Sequence, residues 1–231
     1  MALRRASLPL LAATVVLPLA GCGGDSDESP TELLGRAKTT LDEASSVHFT
    51  LDTAEDPDAS AGLTGGEGDL LRPSSFQGTL HVRVAGAAVD VEVVSVDGTV
   101  YAQLPFTSGF SVVDPADFGI GDPASLLDPG TGISQLLESV EKPTLGEERR
   151  VHGEVVREVT GTIPGDLVER LLTSQDPDQP VDVTFAVTTE GAQLRRAELT
   201  GPFFTAEDDA TYVVELTDYG ADVEISAPPT T

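Results

Sequence analysis

Strict alternation of apolar and polar residues constrains this chain more than any other feature. In the stretch VDVTFAVT, Val181, Val183, Phe185 and Val187 alternate with Asp182, Thr184, Ala186 and Thr188. Successive side chains of a strand point to opposite faces. Such a segment therefore offers one face to a core and one to water. The pattern recurs. Phe76, Gly78, Leu80, Val82 and Val84 oppose Gln77, Thr79, His81 and Arg83. Val89, Val91 and Val93 oppose Asp90 and Glu92, and Val100, Ala102 and Leu104 share a face. Tyr212, Val214 and Leu216 do the same, and a last strand is predicted with Ala221, Val223 and Ile225 together. Asp97-Gly98 between two such runs marks a tight hairpin. About nine to eleven short strands follow from this reading, with one wet and one apolar face each, which is the pattern of an antiparallel sheet.

Three segments switch to helical spacing. Ser29, Pro30 and Glu32 form a capping-box start with Pro at the first helical position. Leu33, Ala37, Leu41 and Ala44 then recur on one face. Thr131 is the expected cap of a second helix bearing Ile133, Leu136, Leu137 and Val140. A third, PGDLVERLLTSQ, groups Leu167, Val168, Leu171 and Leu172. Residues 54–74, rich in Gly, Asp and Pro, read as a mobile loop with strand edges inside it. Residues 105–130 read as irregular chain with short helical turns begun by Asp-Pro. The packing that buries every apolar stripe at once is α+β: a strongly curved antiparallel half-barrel with helices against its concave face.

The N-terminus carries a different signal. Arg4 and Arg5 precede an uncharged run, ASLPLLAATVVLPLA, which is short of the roughly 20 apolar residues a spanning helix needs. A basic start, a short apolar run and small residues at its end describe a secretory leader. Leu19-Ala20-Gly21-Cys22 resembles the bacterial lipobox, and Cys22 is the only cysteine in the chain. In lipobox proteins the thiol is acylated and becomes the mature N-terminus. The expected organisation is a lipoprotein signal peptide over 1–21, lipidated Cys22 with a polar tether over 22–29, and one domain over 30–231. One acyl chain holds a membrane weakly, and two or more hold it stably. This places the body on the extracytoplasmic face of the cell membrane.

Charge narrows the partners. The chain carries 13 basic and 39 acidic residues, a net charge of -26. A leader lost with Arg4 and Arg5 leaves it more negative still. Such a surface repels nucleic acid and anionic headgroups. No catalytic pattern stands out. His48, His81 and His152 have no metal-ligand spacing among them, and neither HExxH nor GxSxG is present. Asp56, Asp58 and Glu67, and separately Asp176, Asp178 and Asp182, lack the Gly and Glu of a calcium loop. The pairs Arg149-Arg150 and Arg195-Arg196 fit a solvated surface beside carboxylates. No metal and no cofactor is expected.

The inward positions are mostly Val, Leu, Ala and Gly, which fill space less fully than aromatics do. They fit an apolar cavity between sheet and helices, and they fit a solid core equally. The expected lining is Leu33, Ala37 and Leu41 on the first helix, and Phe76, Leu80, Val82, Val89, Val91 and Val93 on the sheet. Leu136, Leu137, Leu171, Val183 and Phe185 complete it.

Taken together, the lipobox, the helix PTELLGRAKTTLDEASSVHFTL, the stretch LLDPGTGISQLLESVEKPTLGEERRVHGEVVREVTGTIPGDLVERLL and the ending ELTDYGADVEISAPP resemble the LppX/LprA/LprF/LprG family of actinobacterial lipoproteins. The resemblance implies a half-open antiparallel barrel enclosing a hydrophobic cavity, similar in architecture to the LolA and LolB lipoprotein-sorting proteins. It implies binding of acylated lipids, of the triacylglycerol or glycolipid class, and help in moving them across the envelope, with a membrane lipid exporter as candidate partner. It implies no enzymatic activity. The acidity of the chain favours neutral lipids over phosphoinositol-type ligands. The alternative is an envelope scaffold with a solid core, acting through its surface.

Overall fold

The computed structural model describes residues 28–54, 60–118 and 121–230. The leader, Cys22 and the tether up to residue 27 lie outside the described residues, as do Asp56 and Asp58. The described residues open on helix α1, Pro30–Glu43. Its start is the capping box read from the sequence: the Ser29 hydroxyl accepts from the Glu32 amide, and the Glu32 carboxylate accepts from the Ser29 amide. Leu33, Leu34, Ala37 and Leu41 form its buried face.

Among the described residues, eleven strands form one sheet. The first meander is β1 (Ser46–Thr53), β2 (Gly62–Leu71), β3 (Ser75–Val84), β4 (Ala87–Val96), β5 (Thr99–Gln103) and β6 (Ser111–Val113). The second is β7 (Glu141–Val151), β8 (Glu154–Ile163), β9 (Val181–Thr188), β10 (Leu194–Gly201) and β11 (Ala210–Thr217). The order is β6-β5-β4-β3-β2-β1-β11-β10-β9-β8-β7, and every neighbouring pair is antiparallel. The first meander thus walks from the centre to one edge, and the second walks from the other edge back to the centre. β6 and β7 do not pair, so the curved sheet stays unclosed. Between them the chain must cross from edge to edge. That crossing carries 3₁₀ turns at Pro115–Phe118 and Pro123–Leu127 and helix α2, Ile133–Glu138. It rests on β2, β3, β4 and α1, covering the concave face.

The alternation places side chains as read. Val47, Phe49 and Leu51 of β1 are buried inward, while Asp52 is exposed. Asp97 and Gly98 turn the β4–β5 hairpin with φ of 52° and 74°, the conformation that Asp-Gly favours. The Asp-Pro helical turns are also present. The carboxylates of Asp114 and Asp122 accept from the amides of Ala116 and Ala124.

Other expectations need correction. Residues 62–71 are not a loop but β2, a strand paired on both sides. Its glycines hid it. Gly68 pairs with Gly78 across β2 and β3, and Phe76 lies over both: an added Cβ would stand 2.6 Å from the Phe76 ring at Gly68 and 2.8 Å at Gly78. The glycines are a platform for an aromatic ring, a packing role that composition reads as looseness. β7 starts at Glu141, earlier than the alternation suggested, because irregular pairings at Glu141/Thr144 and Leu145/Glu148 break its period. α2 is capped by Gly132, without a side-chain hydrogen bond, and not by Thr131. The third helix, α3, is the single turn Gly165–Val168, with Leu171 and Leu172 held by further turns on Val168. The last expected strand forms no ladder. Residues 221–229 lie outside any strand, and the tail touches the sheet edge through one parallel bridge, Phe110 to Thr230.

Candidate functional site

The concave face carries the apolar core, and within it lies a cavity of about 80 Å³. Its floor comes from the middle strands: Phe49 and Leu51 of β1, Leu63 of β2, Leu80 of β3, Val214 of β11, and Ala197 and Leu199 of β10 with Phe185 of β9. Cross-strand register puts these side by side, since Leu51 pairs with Val214, Val214 with Ala197 and Ala197 with Phe185. Its roof comes from the crossing segment, through Pro123, Leu126, Ile133 and Leu136, and from the α3 region, through Val168, Leu171 and Leu172. The walls are almost wholly carbon; the polar groups are at Gly121, Asp122, Ser125 and Arg170. Arg170 is exposed and, among the described residues, makes no ion pair.

Of the lining expected from the sequence, Leu80, Leu136, Leu171 and Phe185 stand in this wall. Leu33, Ala37, Leu41, Phe76, Val93, Leu137 and Val183 do not. They are packed into solid core, none more than 5% exposed. The physical reason is that inward direction does not distinguish a filled position from an empty one; these residues belong to the close-packed core cluster. Val82, Val89 and Val91 point inward but are only partly buried and lie outside the cavity. The sequence reading missed Leu51, Ala197, Leu199 and Val214, although the same alternation marks them. It missed Leu63 because that residue sits in the glycine-rich stretch read as a loop.

Roof and floor are joined differently from the sheet itself. Among the described residues, the backbone hydrogen bonds of 122–139 run within that segment: Ser125 to Asp122, Gly132 to Asp128, Ser139 to Gln135. The α3 region likewise bonds within itself, Glu169 to Gly165 and Leu172 to Val168. The roof therefore rests on the sheet through apolar side-chain contact. Beside the cavity, the Tyr212 hydroxyl donates to the Leu63 carbonyl, reaching across β1, and burial pushes its phenol well above the ordinary range. Its ring packs between Phe203 and Phe204 at 4.9 and 5.6 Å. This rigid corner fixes the floor.

The polar face holds ion pairs. Arg149 meets Glu158 at 2.5 Å, Arg195 meets Glu154 at 2.5 Å, and Arg196 bridges Glu198 and Glu215 at 2.9 and 2.8 Å. Arg150 instead donates to the Gly153 carbonyl. Each histidine sits beside one carboxylate: His48 with Asp69, His81 with Asp90 and His152 with Glu215. Among the described residues, no group of three or more His, Cys, Asp or Glu side chains is placed to hold a metal, and no helix is long and apolar enough to cross a membrane.

An unclosed antiparallel half-barrel with an apolar cavity under a crossing segment is the architecture the described residues build. The chain belongs to the LppX_LprAFG lipoprotein family, whose model matches residues 29–225. It is 28% identical over 224 residues to the lipoarabinomannan carrier protein LprG of Mycolicibacterium hassiacum, covering 93% of this chain and 94% of that one. It is 23% identical over 242 residues to lipoprotein LprA of Mycobacterium tuberculosis, covering 93% of each. Two crystal structures share the fold. LprF of Mycobacterium bovis superposes with a TM-score of 0.71 at 19% identity, over 87% of this chain and 97% of that one. LppX of Mycobacterium tuberculosis does so with 0.64 at 17% identity, over 87% and 100%.

Proposed function

We propose that this protein is a membrane-anchored carrier that takes the acyl chains of a lipid between its sheet and its roof. The observation that carries the reading is the cavity itself: its walls are mostly apolar, and among the described residues the segments that roof it make no ladder bonds to the floor. At about 80 Å³ the cavity is far below the ~300–1,000 Å³ of ordinary ligand sites and is too small for a whole acyl chain. Loading therefore lifts the roof. Each buried CH₂ returns roughly 0.8 kcal/mol, so one long chain offsets the separation of a few apolar contacts. Segments held by side-chain contact alone are those that open first.

Residues 1–21 act as the leader, Cys22 as the acylated anchor, and residues 30–231 as one lipid-binding domain on the extracytoplasmic face. The cargo is an acylated lipid of the glycolipid class, in keeping with relatives named for carrying lipoarabinomannan; a triacylglycerol is the other expected class. Arg170, the cation at the roof, faces the headgroup. The carrier hands its load across the envelope, with a lipid exporter as candidate partner.

The test is native mass spectrometry of the protein purified from a related host, with solvent extraction of the bound lipid. Stoichiometric acyl lipid on the wild type and its loss from a folded Leu171→Asp variant support the reading. A clean protein mass that stays unchanged after incubation with host lipid refutes it and leaves the scaffold reading.

A further inference from the structure

Three large apolar side chains stand out as exposed among the described residues: Val84, Phe106 and Val112. Two of them belong to one end of the sheet. Val84 closes β3 at the β3–β4 turn. β5 pairs antiparallel with β4, Gln103 facing Glu92, so the chain leaves β5 heading toward the β3–β4 end of the sheet before it reverses in the Leu104–Thr107 turn that carries Phe106. Val84 is 57% exposed and Phe106 is fully so.

Both segments are also free of charge. Residues 84–89 and 98–113 contain no Asp, Glu, Lys or Arg, in a chain where 23% of residues are charged. Charge returns directly beside them, at Arg83, Asp90, Asp97 and Asp114.

The tip is continuous with the cavity. On β3 the inward positions run Leu80, Val82, Val84, and on β4 they run Val91, Val89, Ala87; they meet as the pairs Leu80–Val91, Val82–Val89 and Val84–Ala87. Exposure rises along this track. Leu80 stands in the cavity wall at 5%, Val82 is half-buried, and Val84 is open. Six apolar residues thus form a ramp from the cavity floor to the end of the hairpin.

We infer that the β3–β4 turn and the Phe106 loop form a bilayer-docking tip, and that the ramp is the path of acyl chains between membrane and cavity. This rests on the carrier reading above. The occupant is a lipid bilayer of net-neutral headgroups, because a chain of net charge -26 is repelled by anionic ones. Apolar side chains at a protein tip gain by insertion into the acyl boundary in proportion to the area they bury.

The chain contains no tryptophan, so Phe106→Trp supplies the sole indole for a direct test in the full-length protein. With phosphatidylcholine vesicles carrying brominated acyl chains, the F106W emission shifts to the blue and is quenched. The V112W control, on the opposite face of β6, is not. An unquenched F106W indole, or equal quenching in V112W, overturns the proposal. So does a blue shift that grows with protein concentration without vesicles, which would mean that a second copy covers the tip. Val84→Asp combined with Phe106→Asp slows lipid uptake from vesicles about tenfold or more and leaves final loading unchanged; an unchanged rate also overturns it. Quenching is read without bound cargo, so failure of the tip and failure of the carrier reading remain distinguishable.

Discussion

Filling the cavity is expected to make this protein more stable and less able to load lipid. Ala197 offers the cleanest position. It is 2% exposed, its Cβ faces the cavity from β10, and its cross-strand partners Phe185 and Val214 are themselves cavity wall. Ala197→Leu adds three carbons directed into the void of about 80 Å³. Empty apolar space costs roughly 24 cal/mol per Å³, so removing 80 Å³ is worth at most about 2 kcal/mol. Rotamer strain subtracts from this, since overpacking costs about 1–3 kcal/mol where room is lacking. The expected result is a denaturation midpoint at or above the wild type with an unchanged denaturant slope, together with lost or sharply reduced lipid loading. Both are read on the same preparation, by urea titration and by mass spectrometry after extraction. A stable A197L protein that loads lipid to wild-type stoichiometry would refute the reasoning, because the filled space would then lie off the acyl path.

Two further outcomes test the frame around the site. Gly78→Val places a branched side chain where even a Cβ would stand 2.1 Å from the Glu67 carbonyl oxygen and 2.8 Å from the Phe76 ring; a loss of about 3 kcal/mol or more, or failure to fold, is expected from thermal unfolding, and near-neutral behaviour would remove the glycine platform. Asp42 tests the α1 surface. Burial alone would raise its carboxyl, but the hydrogen bond from Lys38 at 2.7 Å, with the Lys38 and Arg72 charges, leaves it lowered. A lowered folded-state value means stability present above the ordinary carboxylate range and lost as pH falls through the folded value. Asp42→Asn is therefore destabilising at pH 7, by about 0.5 kcal/mol for an i,i+4 pair, and the gap to wild type closes under acid; a gap independent of pH would contradict the assignment.

The sequence carried the fold farther than the site, for physical reasons. Period-two alternation in β3, β4, β9 and β11 marks strands because a sheet with one buried face has no other way to dispose its side chains. Ser29 and Glu32 mark the start of α1 because the free amides there need partners. The signal failed where packing replaced pattern. β2 carries Gly65, Gly66 and Gly68 among its residues, and only the neighbouring strands explain them: a Cβ would meet the Leu51 carbonyl oxygen at Gly65, the Thr79 carbonyl oxygen and Leu80 at Gly66, and the Phe76 ring at Gly68. Val223 and Ile225 alternate like a strand, yet the tail holds only one bridge, because pairing depends on a partner edge that lies far away in sequence. For the cavity, direction was legible and emptiness was not. Phe76 and Phe185 have the same inward parity and both are fully buried, but one fills the core and the other faces the void. That difference is set by what stands opposite, on α1 or on the roof. Val82, Val89 and Val91, read as lining, stand outside the cavity wall on the strand positions that lead toward the β3–β4 turn.

The central claim is that acyl chains lie between the floor strands and the roof. Photo-crosslinking tests it most directly, using a lipid with a diazirine near the end of its acyl chain and mapping the adducts by peptide mass spectrometry. Adducts on the roof segments 122–136 and 168–172 and on the floor at Phe185, Ala197 and Leu199 are the predicted result. Adducts confined to the polar face, or spread evenly over the surface, would contradict it.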